Sequence, residues 1–433
     1  MFVAALAALA VVAAGCGGGG STGVASGATL GLSAVQLVPP DATAFVSIDS
    51  NLDSAQWQRV NDLTKSFSPK PIDKINAELQ KKGLSWKDDV APALGDELDV
   101  ATLGTGKNVE YVAYTKPHDA AKLSTLATKL SEGSDKYTVE QIGGWSVVAD
   151  SQDLFDKARA AANGTSLADS AAFKAAWSSV AGDAVARAYV SGAATASTKG
   201  DKADWYGARV SASSDALQLD VTRHPQGTTA PAARPLLADV PSGASLAVAF
   251  HGAGDLLAQL AATKLGAQLP VKQLAPLLTG DGVLYLRSTG LIPDVALELT
   301  PKNPQAALKA ARGLLQTASG KLGPLQLTAQ LAGTKLVIAD GPAAANALRG
   351  GSKLVNDSAY KNAVKAAGAP AKTTVLAYAD VTALAPVIQL AQSALGGKAD
   401  PSLTANLQHV GTVVAWAGKA NGMTRYRVWV QPR

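Results

Sequence analysis

Val38-Pro39-Pro40-Asp41-Ala42-Thr43-Ala44-Phe45-Val46-Ser47-Ile48-Asp49 and Val240-Pro241-Ser242-Gly243-Ala244-Ser245-Leu246-Ala247-Val248-Ala249-Phe250-His251 are two versions of one stretch. Each passes from a Val-Pro pair through a short turn into an apolar strand. Each also opens about half of a 433-residue chain. At the polar places the copies differ: Ser47 and Asp49 in the first face Ala249 and His251 in the second. The stretch therefore marks the beginning of a fold, and its chemistry is not shared.

Further echoes follow in the same order. Asp89 to Asp96 returns as Gln273 to Asp281, Thr115-Lys116-Pro117 as Thr300-Pro301-Lys302, and Trp145 to Asp150 as Lys335 to Asp340. Leu167 to Lys174 (LADSAAFK) matches Leu354 to Lys361 (LVNDSAYK) without a gap. Arg187-Ala188-Tyr189 lies in a stretch matching Val375-Leu376-Ala377-Tyr378, and both halves close on a hairpin. Recurrence in order indicates an internal duplication. Counterparts lie 202 residues apart at Val38 and Val240 but 184 apart at Pro92 and Pro276, so the first half carries about 18 extra residues there. The second half has its own insert near Val381 to Asp400, which sets Leu384, Val387, Ile388, Ala391 and Leu395 on one helical face.

Strands are expected at Ala42–Ser50, Glu97–Leu103, Val109–Thr115, Tyr137–Ile142, Trp145–Ala149, Ala184–Val190, Trp205–Ala212 and Ala216–Thr222. Turn residues separate them, notably Gly104 to Asn108, Gly143-Gly144 and Ser213 to Asp215. Helices are expected at Ala55–Phe67, Ile72–Lys82, from Asp119 to Leu130, and near Ser151–Ala162 and Ser170–Val180. In the second half Asn421-Gly422 joins Val410–Ala417 to Met423–Val430, because both turn positions accept positive φ. Period-two strands joined by hairpins and interrupted by helices predict an α+β fold. The expectation is two tandem modules, each a mostly antiparallel sheet with helices packed on one face. The boundaries read 1–15 signal peptide, 16–35 flexible Gly/Ser-rich tether, 36–224 first module, 225–235 linker and 236–433 second module.

Phe2 to Ala14 is an apolar run too short to span a bilayer, ending in Ala13-Ala14-Gly15-Cys16. This resembles the bacterial lipobox, with Ala13 where Leu is usual and no Lys or Arg before the run. Cleavage between Gly15 and Cys16 leaves the chain's one cysteine as an acylated N-terminus. The expected location is the outer face of the cytoplasmic membrane, with Cys16 supplying the membrane contact. An ordinary secretory signal is the alternative. Around the opening strand, Val38 to Asp49, with Val90-Ala91-Pro92-Ala93-Leu94-Gly95-Asp96-Glu97 downstream, the chain resembles a family of bacterial exported proteins defined by a domain of unknown function. That resemblance implies an envelope-associated protein and supplies no catalytic residues.

A single cysteine excludes a disulfide framework. His118, His224, His251 and His409 fall in no metal-binding spacing, and no cofactor is expected. Gly104-Thr105-Gly106-Lys107-Asn108 resembles a phosphate loop but lacks its spacing and following helix. Asp96 and Asp281 recur after glycine as turn residues, and Asn163-Gly164-Thr165 matches the glycosylation triplet. Trp86 and Trp145 are read as core anchors, with a sugar-binding face as the alternative. Net charge is −6 from Gln36 to Thr222 and +11 from Arg223 onward. The basic half could face the acidic half, or anionic lipid or polymer, or the asymmetry could be drift. Arg425 and Arg427 share a strand face with Trp429, read as solvated. No basic cluster interleaves with aromatics, so nucleic acid is not an expected partner. The expected function is a non-catalytic ectodomain that binds or scaffolds an envelope protein, polymer or lipid. A carrier of apolar ligands and an unrecognised hydrolase are the alternatives.

Overall fold

The opening stretch becomes strand β1 (Ala44–Asp49), and strands that pair with it in space come from far along the chain. The computed structural model describes residues 30–68, 70–131, 136–195, 203–225, 232–233, 237–252, 274–288, 293–318, 326–385 and 405–433. Gly15, Cys16, most of the insert after Ala385 and most of the linker lie outside the described residues. The chain divides into two compact units, with the main division between Pro225 and Gln226.

In the first unit β1 is followed by β2 (Glu97–Leu103), β3 (Glu110–Thr115), β4 (Thr138–Ile142), β5 (Trp145–Ala149), β6 (Ala186–Ser191), β7 (Trp205–Ala212) and β8 (Leu217–His224). Every pairing is antiparallel, in the order β8-β7-β6-β1-β2-β3-β5-β4. Helices α1 (Ala55–Thr64), α2 (Pro71–Gln80), α3 (Ala120–Leu130), α4 (Gln152–Asn163) and α5 (Ala171–Ser179) intervene. Their starts follow from capping residues. Ser54 accepts from the Trp57 amide, Asp119 from the amides of Ala121 and Lys122, and Ser170 from the Phe173 amide.

The α+β class and antiparallel sheet are as expected, but the helices cover both sheet faces. One face (Ile48, Leu98, Val100, Ala113, Val148) packs under Trp57 and Val60 of α1, Ile75 and Leu79 of α2, and Leu123 and Leu126 of α3. The other face carries Phe45 and Tyr189, which meet Phe173 and Trp177 of α5 in a cluster of rings 5.0 to 5.9 Å apart. The reason lies in the strands: β5 (WSVVA) is buried at every residue, so its two sides both need cover.

The second unit repeats this strand order. Its strands are β9 (Leu246–His251), β10 (Asp281–Arg287), β11 (Asp294–Thr300), β12 (Leu327–Ala332), β13 (Lys335–Asp340), β14 (Val375–Asp380), β15 (Val410–Ala420) and β16 (Met423–Pro432). They lie in the order β16-β15-β14-β9-β10-β11-β13-β12, again antiparallel. Helices α6 (Pro304–Ala318), α7 (Gly341–Ala347) and α8 (Ser358–Ala366) accompany them. Details recur with the order. The Leu167 amide donates to the Val38 carbonyl at 2.8 Å, and the Leu354 amide to the Val240 carbonyl at 2.9 Å. Phe173 meets Tyr189 edge-on at 5.6 Å, and Tyr360 meets Tyr378 edge-on at 5.3 Å.

Register corrects one equivalence. Asp49 opposes Glu97 and His251 opposes Asp281, so Asp281 takes the place of Glu97, one residue beyond Asp96. The expected tether also ends early. Leu30, Gly31, Ala34, Val35, Leu37 and Val38 are buried, and Ala34–Leu37 form a 3-10 turn. Small uncharged residues read as linker in sequence, yet here they have the right size to lie flat on a sheet.

Candidate functional site

Directly opposed residues in antiparallel strands point to the same face. Reading across the first sheet at Ser47 gives one transverse row: Asp220, Arg209, Arg187, Ser47, Asp99, Tyr114, Val147 and Glu140. The middle of this row is sealed, since Ser47, Asp99 and Tyr114 are each 0% exposed. Glu97, two residues before Asp99, and Asp49, opposite Glu97, extend it into an acidic cluster at one end of the β1–β2 pair.

Each carboxyl is placed differently. Asp49 ends β1, accepting from the Asn51 amide at 3.0 Å and from the Ser54 hydroxyl. Burial pushes the Asp49 carboxyl up to about 7 against those hydrogen bonds, and the charges of Asp96 and Glu97 add to the rise. Glu97 accepts from the Gly31 amide at 2.5 Å and from the Ser47 hydroxyl at 3.2 Å. Asp99 is the extreme case. Its polar neighbours are Glu97 and Ser47, and among the described residues neither oxygen makes a well-formed hydrogen bond and no cation pairs with it. Burial and then the Glu97 charge hold Asp99 well above the usual carboxylate range, which favours its protonated form. Burial, with Asp99 beside it, also raises the Tyr114 phenol.

The arginines of the row turn away from this acid. Arg187 donates to the Gly182 carbonyl and lies 5.8 Å from the Trp177 ring. Arg209 donates to the Ala181 carbonyl and pairs with Asp220 at 2.6 Å. Burial, then the neighbouring Arg209 charge, lowers Arg187 from its ordinary value.

At the same positions the second unit reads Arg427, Trp416, Leu376, Ala249, Val283, Glu298, Val337 and Gln330. Ser47, Asp99 and Arg187 have become Ala249, Val283 and Leu376. The buried acid that remains, Glu298 at 5% exposed, is held by the Lys335 ammonium, which also reaches Asp239. Where the first unit sets Asp49 against Glu97, the second sets His251 against Asp281 as an imidazole–carboxylate pair. The second unit sets a cation against its buried acid, whereas in the first the acids at the ends of the row, Asp220 and Glu140, pair with Arg209 and Arg159 and Asp99 at its centre shows no ion pair among the described residues.

Most sequence-stretch candidates resolve into structure. Gly104 to Asn108 is the β2–β3 hairpin turn, with Gly104 at φ +74° and no room for a Cβ against the Asn108 carbonyl. Trp145 is buried with Lys116 over its ring at 4.7 Å, and Trp86 packs on the first core. Arg425 is exposed, but Arg427 is half-buried over Trp416 at 5.7 Å. His118, His224 and His251 each face one aspartate, Asp96, Asp204 and Asp281, at three separate places. No hydroxyl joins any of these three imidazoles, and no three metal-ligating side chains converge, among the described residues. There, too, no helix is long and apolar enough to cross a membrane. The buried row itself escaped the sequence: ELDVATL alternates as a strand with one solvated face would.

No protein-family model matches the chain, and no curated protein matches it. Among solved structures, the crystal form I structure of TP0453 aligns with 73% of this chain and 98% of its own. Identity is 11% and the TM-score 0.18, too low to carry an argument about fold or function.

Proposed function

We propose that the chain is an exported lipoprotein, anchored through an acylated Cys16, whose ectodomain arose by internal duplication and binds rather than catalyses. The second unit is the binding half. The observation that carries this is the contrast between equivalent sheet faces. Val100, Ala113 and Val148 of the first unit are buried, while Leu284, Leu297 and Ile338 at the same places in the second are half-buried, Leu297 and Ile338 against the core under α6 and Leu284 outside that cluster. Leu246, Val248, Leu286 and Val413 continue that face as half-buried apolar surface, and Val428 at its edge is 37% exposed. Contiguous accessible apolar surface favours an apolar partner. The same observation favours the narrower reading of a lipid carrier, because acyl chains need apolar contact and few polar groups.

Lipid mass spectrometry after gentle detergent extraction, with titration by a fluorescent fatty acid, tests the binding half. Co-purified lipid and saturable binding, weakened at least about tenfold by Leu286→Glu or Val428→Glu, are expected. Saturable binding untouched by both substitutions overturns this surface. Export and anchoring have a separate readout: Cys16→Ala should abolish labelled-palmitate incorporation and release the protein from membranes.

A further inference from the structure

Residues Leu30 to Leu37 run across the first sheet directly over the buried acids. Leu30, Ala34, Val35 and Leu37 supply the apolar contacts. Gly31, at φ +77°, fits against Trp177, Phe45 and Ser47 so closely that a Cβ would lie 2.6 Å from the Trp177 ring. Polar attachments are few. The Gly31 amide donates to Glu97, the Tyr114 hydroxyl donates to the Leu37 carbonyl at 3.4 Å, and the Leu167 amide holds the next residue, Val38. Among the described residues the polar attachment of this segment's leading end is the Glu97 carboxylate, and Asp99 lies two residues along the same strand face.

From these contacts we infer that residues 30–37 are a proton-controlled strap, closed while Asp99 carries its proton and lifted when Asp99 loses it. With Asp99 neutral, Glu97 is free to accept the Gly31 amide. With both ionised, two carboxylates share a dry space without a cation, and admitting water by raising the strap relieves them. The charged and titratable groups around Asp99 are few. They are Glu97 and Asp96 at the start of β2, Asp49 of β1, Tyr114 of β3, and Arg187 of β6 beyond Ser47. The strap itself (LGLSAVQL) has no charge, Lys174 of α5 is exposed, and the charged side chains of α4 pair away from the sheet or with Glu110 and Glu140. The second unit supports the reading by contrast: there Lys335 neutralises the buried acid and Val283 replaces Asp99. A fold that merely needed to fill this place has an alternative that does not titrate.

Lifting the strap unmasks the Ser47–Asp99–Tyr114 row and adds eight residues of chain between the first unit and the N-terminus, roughly 26 Å when extended. This change of reach matters only if Cys16 is anchored as proposed above; the strap's response to pH does not depend on it. Hydrogen exchange of peptides spanning 30–38 in the full-length protein, corrected for intrinsic rates, provides the test. Protection should fall up to tenfold per pH unit between the ordinary carboxylate value, which Asp99 regains when the strap is raised, and its higher value under the closed strap, and should level off above that. Asp99→Asn should keep the strap protected at every pH, and Asp49→Asn should leave the wild-type profile in place. Should Asp99→Asn not fold, Glu97→Gln serves instead and should also flatten the profile. Protection independent of pH in the wild type overturns the inference. So does a foldable Asp99→Asn that follows the wild-type profile, or a flat profile in Asp49→Asn alone.

Discussion

Asp49 and Asp99 sit on adjacent strands, face the same way and are both raised by burial, yet only Asp49 accepts well-formed hydrogen bonds among the described residues. For Asp49 the sign of the pH effect is fixed by linkage. In the folded protein its carboxyl is raised to about 7, above the ordinary carboxylate value. The native state therefore holds an extra proton, and the stability it supplies is fully present below about pH 4 and lost as pH rises through about 7. A shift of that size corresponds to about 4 kcal/mol between protonation states. Urea unfolding followed by tryptophan emission should show the first unit more resistant at about pH 5 than at about pH 8, and Asp49→Asn should remove the Asp49 share of that difference while leaving the share that Asp99 supplies. If the variant keeps the whole difference, Asp49 is not the titrating group. Such residues are hard to read from sequence. Ser47, Asp49, Glu97 and Asp99 occupy alternate positions, the pattern of a solvated face, and it is the cover from Phe173 and Trp177, together with residues 30–37, that makes that face interior. Cover supplied from elsewhere in the chain leaves no local trace.

At the scale of elements the sequence was more generous. Glu97–Leu103, Trp145–Ala149 and Trp205–Ala212 have the bounds their alternation and flanking turns imply. The Asn421-Gly422 turn takes φ of 51° and 73°, as the hairpin requires. What failed was the segment before β1, whose small residues carry no periodicity, and the division of helices between faces, which depends on who covers whom. Two element-scale tests follow from caps and close approaches. Ser54 is fully buried, accepts from the Trp57 amide and donates to Asp49, so Ser54→Ala removes a cap and a donor together. A loss of about 2 kcal/mol is expected, read as a lower urea midpoint with an unchanged slope. In the second unit Gly282 leaves room for Phe250 from the opposed strand, and a Cβ there would lie 2.1 Å from the ring. Gly282→Ala should overpack this contact and cost about 1 to 3 kcal/mol, whereas Gly333→Ala, with open space around it but φ at +66°, should cost only its backbone strain. Equal losses at the two sites would show that the Phe250 contact is not what Gly282 protects.

Across the whole molecule, one strand order carries two electrostatic solutions, and this separates the units under a change of pH. The first unit is net acidic and keeps Asp49 and Asp99 without cations; the second is net basic and answers Glu298 with Lys335 and Asp281 with His251. Lys335 is raised, chiefly by its hydrogen bond to Glu298. For a raised lysine the stabilisation is present below its unfolded value and lost only as pH climbs beyond it, so it is constant between about pH 5 and pH 8. Raised aspartates behave oppositely in that window, since their contribution drains away as the protons leave. Going from about pH 5 to about pH 8 should therefore lower hydrogen-exchange protection in peptides covering β1 and β2, while peptides covering β11 and β13, which carry Glu298 and Lys335, stay within about twofold. Asp49→Asn combined with Asp99→Asn should bring the first unit's response down to that of the second. Parallel losses in both units would place the pH sensitivity in something the two share, such as global net charge, and would leave the buried acids of the first unit without a special role.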